Sequence, residues 1–229
     1  MLITLKELAR FIDHTLLRPE ATEKDVVALC DEARKFGFAA VCVNPCYVGL
    51  AYRELKQARV SVCSVIGFPL GAAEPAVKAA EAAAAVRAGA SEIDVVMNIG
   101  FLKSGLSGQV RADLDGVVTA ARHEREKVIV KVILETCLLS NDEKVLASQI
   151  TVAAGADYVK TSTGFGEGGA LASDVRLLRN SVGPEFGVKA SGGISDLASV
   201  LSMLKEGADR IGTSSGVKII KEFRNQIGI

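Results

Sequence analysis

The segment Gly155-Ala156-Asp157-Tyr158-Val159 contains the pattern that decides the fold: a glycine after a helical stretch, a small residue, and then a short apolar strand. A glycine directly after a helix supplies the left-handed backbone position that ends it. The same pattern starts at Gly37, Gly89 and Gly207, so the four glycines lie 52, 66 and 52 residues apart. Half of the shorter spacing is about 26 residues, and eight strand–helix units of that length would fill about 208 residues.

Eight short, mostly apolar segments, flanked by glycine or polar residues, have the composition of parallel strands buried on both faces. They cover residues 11–16, 39–43, 61–66, 92–97, 128–135, 158–161, 187–190 and 210–212. Helical patterns lie between them. One starts at Pro75 after Glu74, one follows a capping box at Ser140, and one is capped by Ser195 before residues 197–206.

The alternation of strands and helices predicts an α/β protein, a single (β/α)8 TIM barrel over residues 1–229 with a short extra helix at residues 3–9. An open doubly wound sheet is the alternative. It is disfavoured because no Gly-x-Gly-x-x-Gly turn follows the first strand.

Composition excludes several classes of protein. The 27 Lys and Arg residues balance 27 Asp and Glu residues, whereas a nucleic-acid or acidic-membrane binder needs a basic surplus. Charged residues interrupt the start of the chain, and no apolar run approaches the about 18 residues of a membrane span, so a cytoplasmic location is predicted. Five scattered cysteines and two histidines indicate neither a disulfide scaffold nor a metal site.

Lysines occur within three consecutive apolar strands, at Lys131, Lys160 and Lys189, and Asp94 lies on the strand before them. Lysine is seldom fully buried, and a single one would be explained by an ion pair or by a side chain that reaches solvent. Three together point to a site at the carboxyl ends of the strands. Their surplus of positive charge predicts that one lysine is neutral and can attack a carbonyl to form a Schiff base, without a metal or cofactor.

Lys160 is the predicted nucleophile because a polar loop, 161–164, follows it. Lys189 is the predicted cation that lowers its pKa, and Asp94 the group that moves protons. Lys131 is either a second such cation or a partner of Asp94, and the sequence leaves both open. Glu135 is a predicted partner of one of the lysines.

Glycine and hydroxyl residues are dense in the loops after strands six to eight, where barrels often bind phosphate through backbone N–H groups. This predicts a phosphate site that needs no arginine, formed by Thr163, Gly164, Gly192, Gly193, Gly212, Ser214 and Ser215. Other residues have simpler interpretations: His123 is solvated, His14 is structural, and Cys30, Cys42 and Cys63 pack in the core, with Cys42 as a possible pocket wall.

Six motifs resemble those of the deoxyribose-phosphate aldolase family nearly end to end. They are Ile12-Asp13-His14-Thr15-Leu16-Leu17, Glu92-Ile93-Asp94-Val95-Val96, Val130-Lys131-Val132-Ile133-Leu134-Glu135-Thr136, Val159-Lys160-Thr161-Ser162-Thr163-Gly164-Phe165, Val188-Lys189-Ala190-Ser191-Gly192-Gly193-Ile194 and Gly212-Thr213-Ser214-Ser215. The resemblance implies a class I aldolase that cleaves 2-deoxy-D-ribose 5-phosphate reversibly into acetaldehyde and D-glyceraldehyde 3-phosphate, and a homo-oligomer, either dimer or tetramer.

The resemblance also assigns roles. It makes Lys160 the Schiff-base lysine, Lys189 the lysine that perturbs its pKa, and Asp94 the proton relay. The phosphate would lie at Gly164, Gly192, Gly193, Ser214 and Ser215. Asp13 and Thr15 would lie near the sugar hydroxyls, and Cys42 would be a pocket cysteine open to attack by unsaturated aldehydes.

Two departures from the family pattern have consequences. Phe165 stands where some relatives have a lysine, which implies weaker selectivity for phosphate. Residues 225–229 contain no tyrosine like the terminal one of some relatives, which implies slower turnover. Two other functions stay open: a Schiff-base barrel aldolase with a ketone donor, and a non-catalytic barrel that binds a sugar phosphate and has lysines of ordinary pKa.

Overall fold

Eight parallel strands form a closed barrel in the computed structural model of the chain, which describes residues 3–228. Strand β1 pairs with β2 on one side and with β8 on the other, which closes the sheet and excludes the open doubly wound alternative. The strands are β1 (Ile12–Leu16), β2 (Ala40–Val43), β3 (Ser61–Ile66), β4 (Glu92–Val96), β5 (Ile129–Ile133), β6 (Tyr158–Lys160), β7 (Gly187–Ser191) and β8 (Arg210–Thr213).

Helices surround the barrel and connect its strands, so the predicted (β/α)8 architecture is confirmed. The predicted extra helix before β1 is also present, as α1 (Leu5–Arg10). The others are α2 (Glu23–Phe36), α3 (Val48–Leu55), α4 (Pro75–Arg87), α5 (Ile99–Lys103), α6 (Ser107–Glu124), α7 (Asn141–Ala153), α8 (Ala172–Val182), α9 (Leu197–Lys205) and α10 (Gly216–Ile227). Between residues 3 and 228, no helix combines the length and the apolar character that crossing a bilayer requires.

The ends of the helices follow local sequence signals. Ser140 forms the predicted capping box at the start of α7, where its side chain accepts from the backbone N–H of Glu143. The predicted cap at Ser195 is wrong. The next residue, Asp196, accepts from the Ser199 N–H at 2.8 Å, because a cap side chain must directly precede the first helical residue.

Successive strand residues point alternately outward and inward, which creates two different environments. On β5, Val130 and Val132 pack in the apolar layer beneath the helices, whereas Lys131 between them is buried inside the barrel. Ile93 and Val95 pack in the same outer layer on either side of Asp94. The barrel therefore has an apolar outer layer and a charged interior.

Candidate active site

The carboxylate of Asp94 lies at the centre of the three lysines that the sequence singled out. Its Oδ2 accepts hydrogen bonds from Lys160 Nζ at 2.8 Å and from Lys189 Nζ at 2.7 Å. Its Oδ1 accepts from Lys131 Nζ at 2.9 Å. The structure thus brings all four predicted residues into direct contact.

Strand register explains how residues so far apart in sequence meet. Asp94 and Lys131 are paired positions on β4 and β5, and Lys160 and Lys189 are paired positions on β6 and β7. Each of these side chains points into the barrel. The long lysine side chains can therefore converge on one short aspartate.

Three charged residues that the sequence analysis did not place here extend the cluster. Asp13 on β1 accepts from Lys189 Nζ at 2.6 Å. Arg210 on β8 contacts Asp13 through Nε at 2.8 Å and Glu92 through Nη2 at 2.9 Å. Glu92 also pairs with Lys131 at 2.6 Å.

Glu92 and Arg210 were missed because each is the first residue of its strand, where a polar residue is expected to end the apolar run. The alternation of side chains along a strand could have identified Glu92, because Glu92 is two residues from Asp94 and therefore points to the same face of the sheet. Four basic side chains, Lys131, Lys160, Lys189 and Arg210, thus face three carboxylates rather than one, which leaves a single basic group in excess.

The carboxylates determine the ionisation of two of the lysines. Burial lowers the pKa of Lys189, but Asp13 and Asp94 outweigh burial and raise that pKa above the ordinary value of a lysine. Burial likewise lowers the pKa of Lys131, and Asp94 and its other negative neighbours raise it well above that value. Lys131 and Lys189 are therefore ammonium groups at neutral pH, which agrees with the predicted role of Lys189 as a cation.

Asp94 is ionised for the complementary reason. Burial raises the pKa of its carboxyl, but the positive charges of Lys131, Lys160 and Lys189 outweigh burial and hold that pKa well below its ordinary value. Of the two roles left open for Lys131, the geometry shows a partner of Asp94, since Lys131 takes the carboxylate oxygen that the other two lysines do not use.

A cavity of about 440 Å³ opens above this cluster at the carboxyl ends of the strands. Lys160 lines the cavity, whereas Lys131 and Lys189 lie beneath it and are completely buried. Lys160 is therefore the lysine of the three that a molecule in the cavity would meet.

The cavity contains most of the predicted binding residues. Those that line it are Thr15, Thr163, Gly164, Gly192, Gly193, Gly212, Ser214 and Ser215. Helix α10 starts at Gly216, directly after the two serines, so its N-terminal N–H groups are near the cavity. At Gly192 the backbone has φ of 88°, and a Cβ there would come within 3.1 Å of Gly169 Cα, so this position requires glycine.

Two predicted pocket residues, Asp13 and Cys42, lie instead beneath the cavity and are completely buried. Cys42 pairs in register with Cys63 on β3, and both pack with Leu17. Cys63 is a buried core residue, as expected, and its Sγ also lies 3.1 Å from Asp94 Oδ1, at the edge of the charged cluster.

One sulfur each from Cys42 and Cys63 and one Asp94 oxygen lie within 4.8 Å of one another, a spacing that could suit a metal ion. The Asp94 oxygens, however, already accept from the amino groups of three lysines, and Lys131 and Lys189 carry a positive charge. A dication placed beside that much positive charge would be repelled. We therefore assign no metal to these residues.

Among the residues that the structure describes, no lysine forms a hydrogen bond or an ion pair with Glu135, contrary to expectation. Its carboxylate accepts from the Thr163 backbone N–H at 3.3 Å and also from the Thr163 hydroxyl. Glu135 has a left-handed backbone, with φ of 52°, and this explains why β5 ends at Ile133 before the predicted boundary at residue 135. Glu135 thus holds the loop that follows Lys160.

The cavity also contains residues that the sequence analysis did not assign to it. Arg18 is one of its lining residues, although an arginine was considered unnecessary. Its only sequence signal is a charge two residues after the end of β1. Phe165 lines the cavity too and packs edge-on against Phe68, with ring centroids 5.2 Å apart.

The remaining predictions concern residues outside the cavity. His14 is buried, and its Nε2 lies 2.7 Å from Glu32, which agrees with a structural role. His123 is exposed and Cys30 is buried, as expected.

Comparison with known proteins places this geometry in a family. Residues 8–222 match the family described as DeoC/LacD family aldolase. The deoxyribose-phosphate aldolase of Caldanaerobacter subterraneus subsp. tengcongensis is 52% identical and covers 97% of this chain and 96% of its own length. That of Thermococcus gammatolerans is 54% identical and covers 96% of this chain and 97% of its own.

A solved structure has the same fold as this chain. The tetrameric deoxyribose phosphate aldolase of Aeropyrum pernix superposes with a TM-score of 0.91 at 39% identity, covering 97% of this chain and 93% of that one. With its closed barrel and its lysine cluster around one aspartate, the chain belongs to the DeoC/LacD family of aldolases.

Proposed function

We propose that this protein is a class I aldolase that cleaves 2-deoxy-D-ribose 5-phosphate reversibly into D-glyceraldehyde 3-phosphate and acetaldehyde, as part of deoxyribose phosphate breakdown. The observation that carries the proposal is the position of Lys160. It lies at the floor of the cavity and shares one Asp94 oxygen with Lys189. The names of the relatives supply the substrate.

The first steps build the covalent intermediate. The free amine of Lys160 attacks the aldehyde carbon of the open-chain sugar phosphate and forms a carbinolamine. Asp94, 2.8 Å from the Lys160 nitrogen, moves the protons that allow the hydroxyl to leave as water. The product is an iminium ion between Lys160 and the substrate.

The iminium then serves as the electron acceptor. The hydroxyl at C3 loses its proton, the C2–C3 bond breaks, and the electron pair of that bond moves toward the iminium nitrogen. Glyceraldehyde 3-phosphate leaves, and an enamine stays on Lys160. Protonation of the enamine carbon and hydrolysis by water release acetaldehyde and restore the amine.

The other residues have supporting roles in this proposal. Lys189, held as an ammonium by Asp13 and Asp94, places a fixed positive charge beside Lys160. Thr15 lines the cavity and would contact a sugar hydroxyl. Asp13 lies below the cavity floor and acts through Lys189.

Borohydride trapping with acetaldehyde, followed by peptide mass mapping, tests the chemistry directly. We expect an ethyl group on Lys160, which would identify the iminium, the donor and the nucleophile together. An adduct on Lys131 or Lys189 would overturn the assignment of Lys160. If only a ketone donor is trapped, the protein is a Schiff-base aldolase with another substrate. If phosphate binds and no donor is trapped, the non-catalytic barrel is correct.

We further propose that residues 1–229 act as one catalytic domain that needs no metal and associates into a dimer or tetramer. The tetramer described for the Aeropyrum pernix relative supports self-association. Light scattering at several concentrations would measure the mass of the assembly.

We also propose a cytoplasmic location, because a charged sugar phosphate does not cross membranes unaided. Cell fractionation would test it.

A further inference from the structure

We infer that Arg18 binds the phosphate group of the substrate and sets the preference for phosphorylated over unphosphorylated sugars. This inference rests on the proposed function. Within the part of the chain that the structure describes, Arg18 and Lys160 are the two cationic side chains that line the cavity. Lys160 is held by Asp94 at the floor, so Arg18 is the cation available to a group at the other end.

The topology of the barrel places Arg18 beside the loops rich in glycine and serine. Arg18 follows β1 after Leu16 and Leu17, and β1 is the hydrogen-bonded neighbour of β8. The segment after β1 therefore lies next to Ser214 and Ser215, which follow β8. Arg18 and these serines line the same cavity.

Two acidic neighbours restrain the Arg18 guanidinium at the rim of the cavity. Its Nη2 lies 3.1 Å from Asp25 Oδ2, and its Nη1 lies 3.4 Å from Glu20 Oε1. Asp25 is itself fixed, since its Oδ2 accepts from the backbone N–H of Thr22 at 2.9 Å in the capping box of α2. The two contacts favour a guanidinium position at the rim of the cavity without fixing it there.

These ion pairs leave Arg18 able to bind an anion. A guanidinium has five N–H donors, more than two single contacts with carboxylates occupy. The Arg18 side chain is 47% exposed, and ion pairs that are open to solvent hold their partners only weakly. A phosphate dianion can therefore accept two parallel hydrogen bonds from Arg18.

The chemistry of the site needs such a residue. Backbone N–H groups and the start of α10 offer only partial positive charge, about half an elementary charge at a helix N-terminus. A phosphate ester carries close to two negative charges at neutral pH. Arg18 supplies a full positive charge at the rim, whereas the aromatic ring of Phe165 in the same lining supplies none.

Steady-state kinetics with two substrates test the inference. For Arg18→Gln, we expect the KM for 2-deoxyribose 5-phosphate to rise about tenfold or more, as for a lost hydrogen bond to a charged group. The kinetics with unphosphorylated 2-deoxyribose should be unchanged. The control is Arg34→Gln on α2, an exposed arginine paired with Asp31 and outside the cavity lining. Equal losses with both sugars, or equal effects of the two variants, would overturn the inference.

Moving the charge provides a second test. In Arg18→Gln/Phe165→Lys, a cation returns to the cavity from another lining position. We expect part of the phosphate preference to return. Should Arg18→Gln alone keep the full preference for the phosphorylated sugar, Arg18 does not bind phosphate.

Binding of inorganic phosphate separates this inference from the proposed function. Titration calorimetry with phosphate needs no aldolase activity, and we expect weaker binding to Arg18→Gln than to wild type. If that difference is found without cleavage of 2-deoxyribose 5-phosphate, the role of Arg18 stands and the proposed reaction fails. If cleavage occurs and phosphate binding is equal in the two proteins, the reaction stands and the role of Arg18 fails.

Discussion

Lys160 and Lys189 face each other from paired positions on β6 and β7, and both donate to the same oxygen of Asp94, at 2.8 and 2.7 Å. The two lysines nevertheless have different surroundings. Lys160 reaches the cavity, and Lys189 is enclosed between Asp94 and Asp13. One is therefore suited to react and the other to stay charged.

Replacing the reactive lysine should abolish catalysis and leave the fold intact. We expect Lys160→Arg to lose about 10⁵-fold or more in kcat, as when other enzymes lose their nucleophile, because a guanidinium cannot form an iminium. Cleavage is measured by coupled assay, and folding by circular dichroism. Lys144→Arg is the matched control, since Lys144 pairs with Asp174 at 2.7 Å on the outer helices and should remain active. Retained activity in Lys160→Arg would disprove the mechanism.

Removing the neighbouring charge should change the pH profile. In Lys189→Leu the fixed positive charge beside Lys160 is lost, and the loss of a neighbouring cation favours the protonated form of an amine. We expect a large fall in kcat and an upward shift of the pH optimum, both read from the pH dependence of kcat. An unshifted profile would show that Lys189 does not tune Lys160.

Lys189→Leu also removes a cation from both Asp13 and Asp94, which keep only their contacts with Arg210 and with Lys131 and Lys160, and a broken buried pair costs about 3–5 kcal/mol of stability. The variant is therefore compared with Lys189→Leu/Asp13→Asn, which also removes a carboxylate that has lost one of its cations. Urea unfolding should show the double variant to be more stable than the single one. The shift of the pH optimum should persist in both.

The charge network should set the pH range of maximal stability. The folded pKa of Asp94 is depressed, so its contribution is complete above the ordinary carboxyl pKa of about 3.9 and is lost as pH falls through the folded value. The folded pKa values of Lys131 and Lys189 are raised. Their contribution is complete below about pH 10.4 and is lost as pH rises through the folded values.

Urea unfolding between pH 3 and pH 11 would measure this window. Wild type should lose stability toward the acid end, whereas Asp94→Asn, although less stable, should lose less of it over the same range because its side chain does not titrate. Parallel curves for the two proteins in acid would contradict the assigned role of Asp94.

Glu135 should stabilise the conformation of the loop that follows Lys160. In Glu135→Gln the amide retains one acceptor oxygen for the two donors of Thr163, and we expect a loss of about 1–3 kcal/mol in unfolding free energy. The KM for substrate should rise more than kcat falls, because the loop lines the cavity and carries no reacting group. Thr163→Ser keeps both donors and serves as the control. A variant of unchanged stability and KM would refute this role.

The sequence predicted the barrel because its signals are local and repeated. A glycine after each of four helices and a capping serine at α7 act over a few residues. The sequence also identified the lysines as candidate site residues, because a charged side chain within an apolar strand is unusual and indicates a buried charged site. The residues that stabilise the charged lysines were not predictable, because Asp13, Glu92 and Arg210 meet the lysines only across the closed barrel.

Arg18 shows the same limit at the cavity. It lies in an irregular segment after β1, where sequence periodicity says nothing about the direction of a side chain. Its place in the site depends on the closure of β1 against β8, a contact between the two ends of the chain. The turn at Glu135 was hidden for another reason, since a left-handed backbone is uncommon for residues other than glycine.

The acidic and the basic residues of the charge network come from different halves of the chain. Its carboxylates come from β1 and β4, and its cations, Lys131, Lys160, Lys189 and Arg210, come one each from β5 to β8. If the gene were split after α5, each fragment would carry an interior of a single sign. Neither fragment could pair with a copy of itself without burying like charges, but the two fragments would neutralise each other. The barrel therefore specifies how its own halves assemble, and coexpressed halves should recombine as one of each kind.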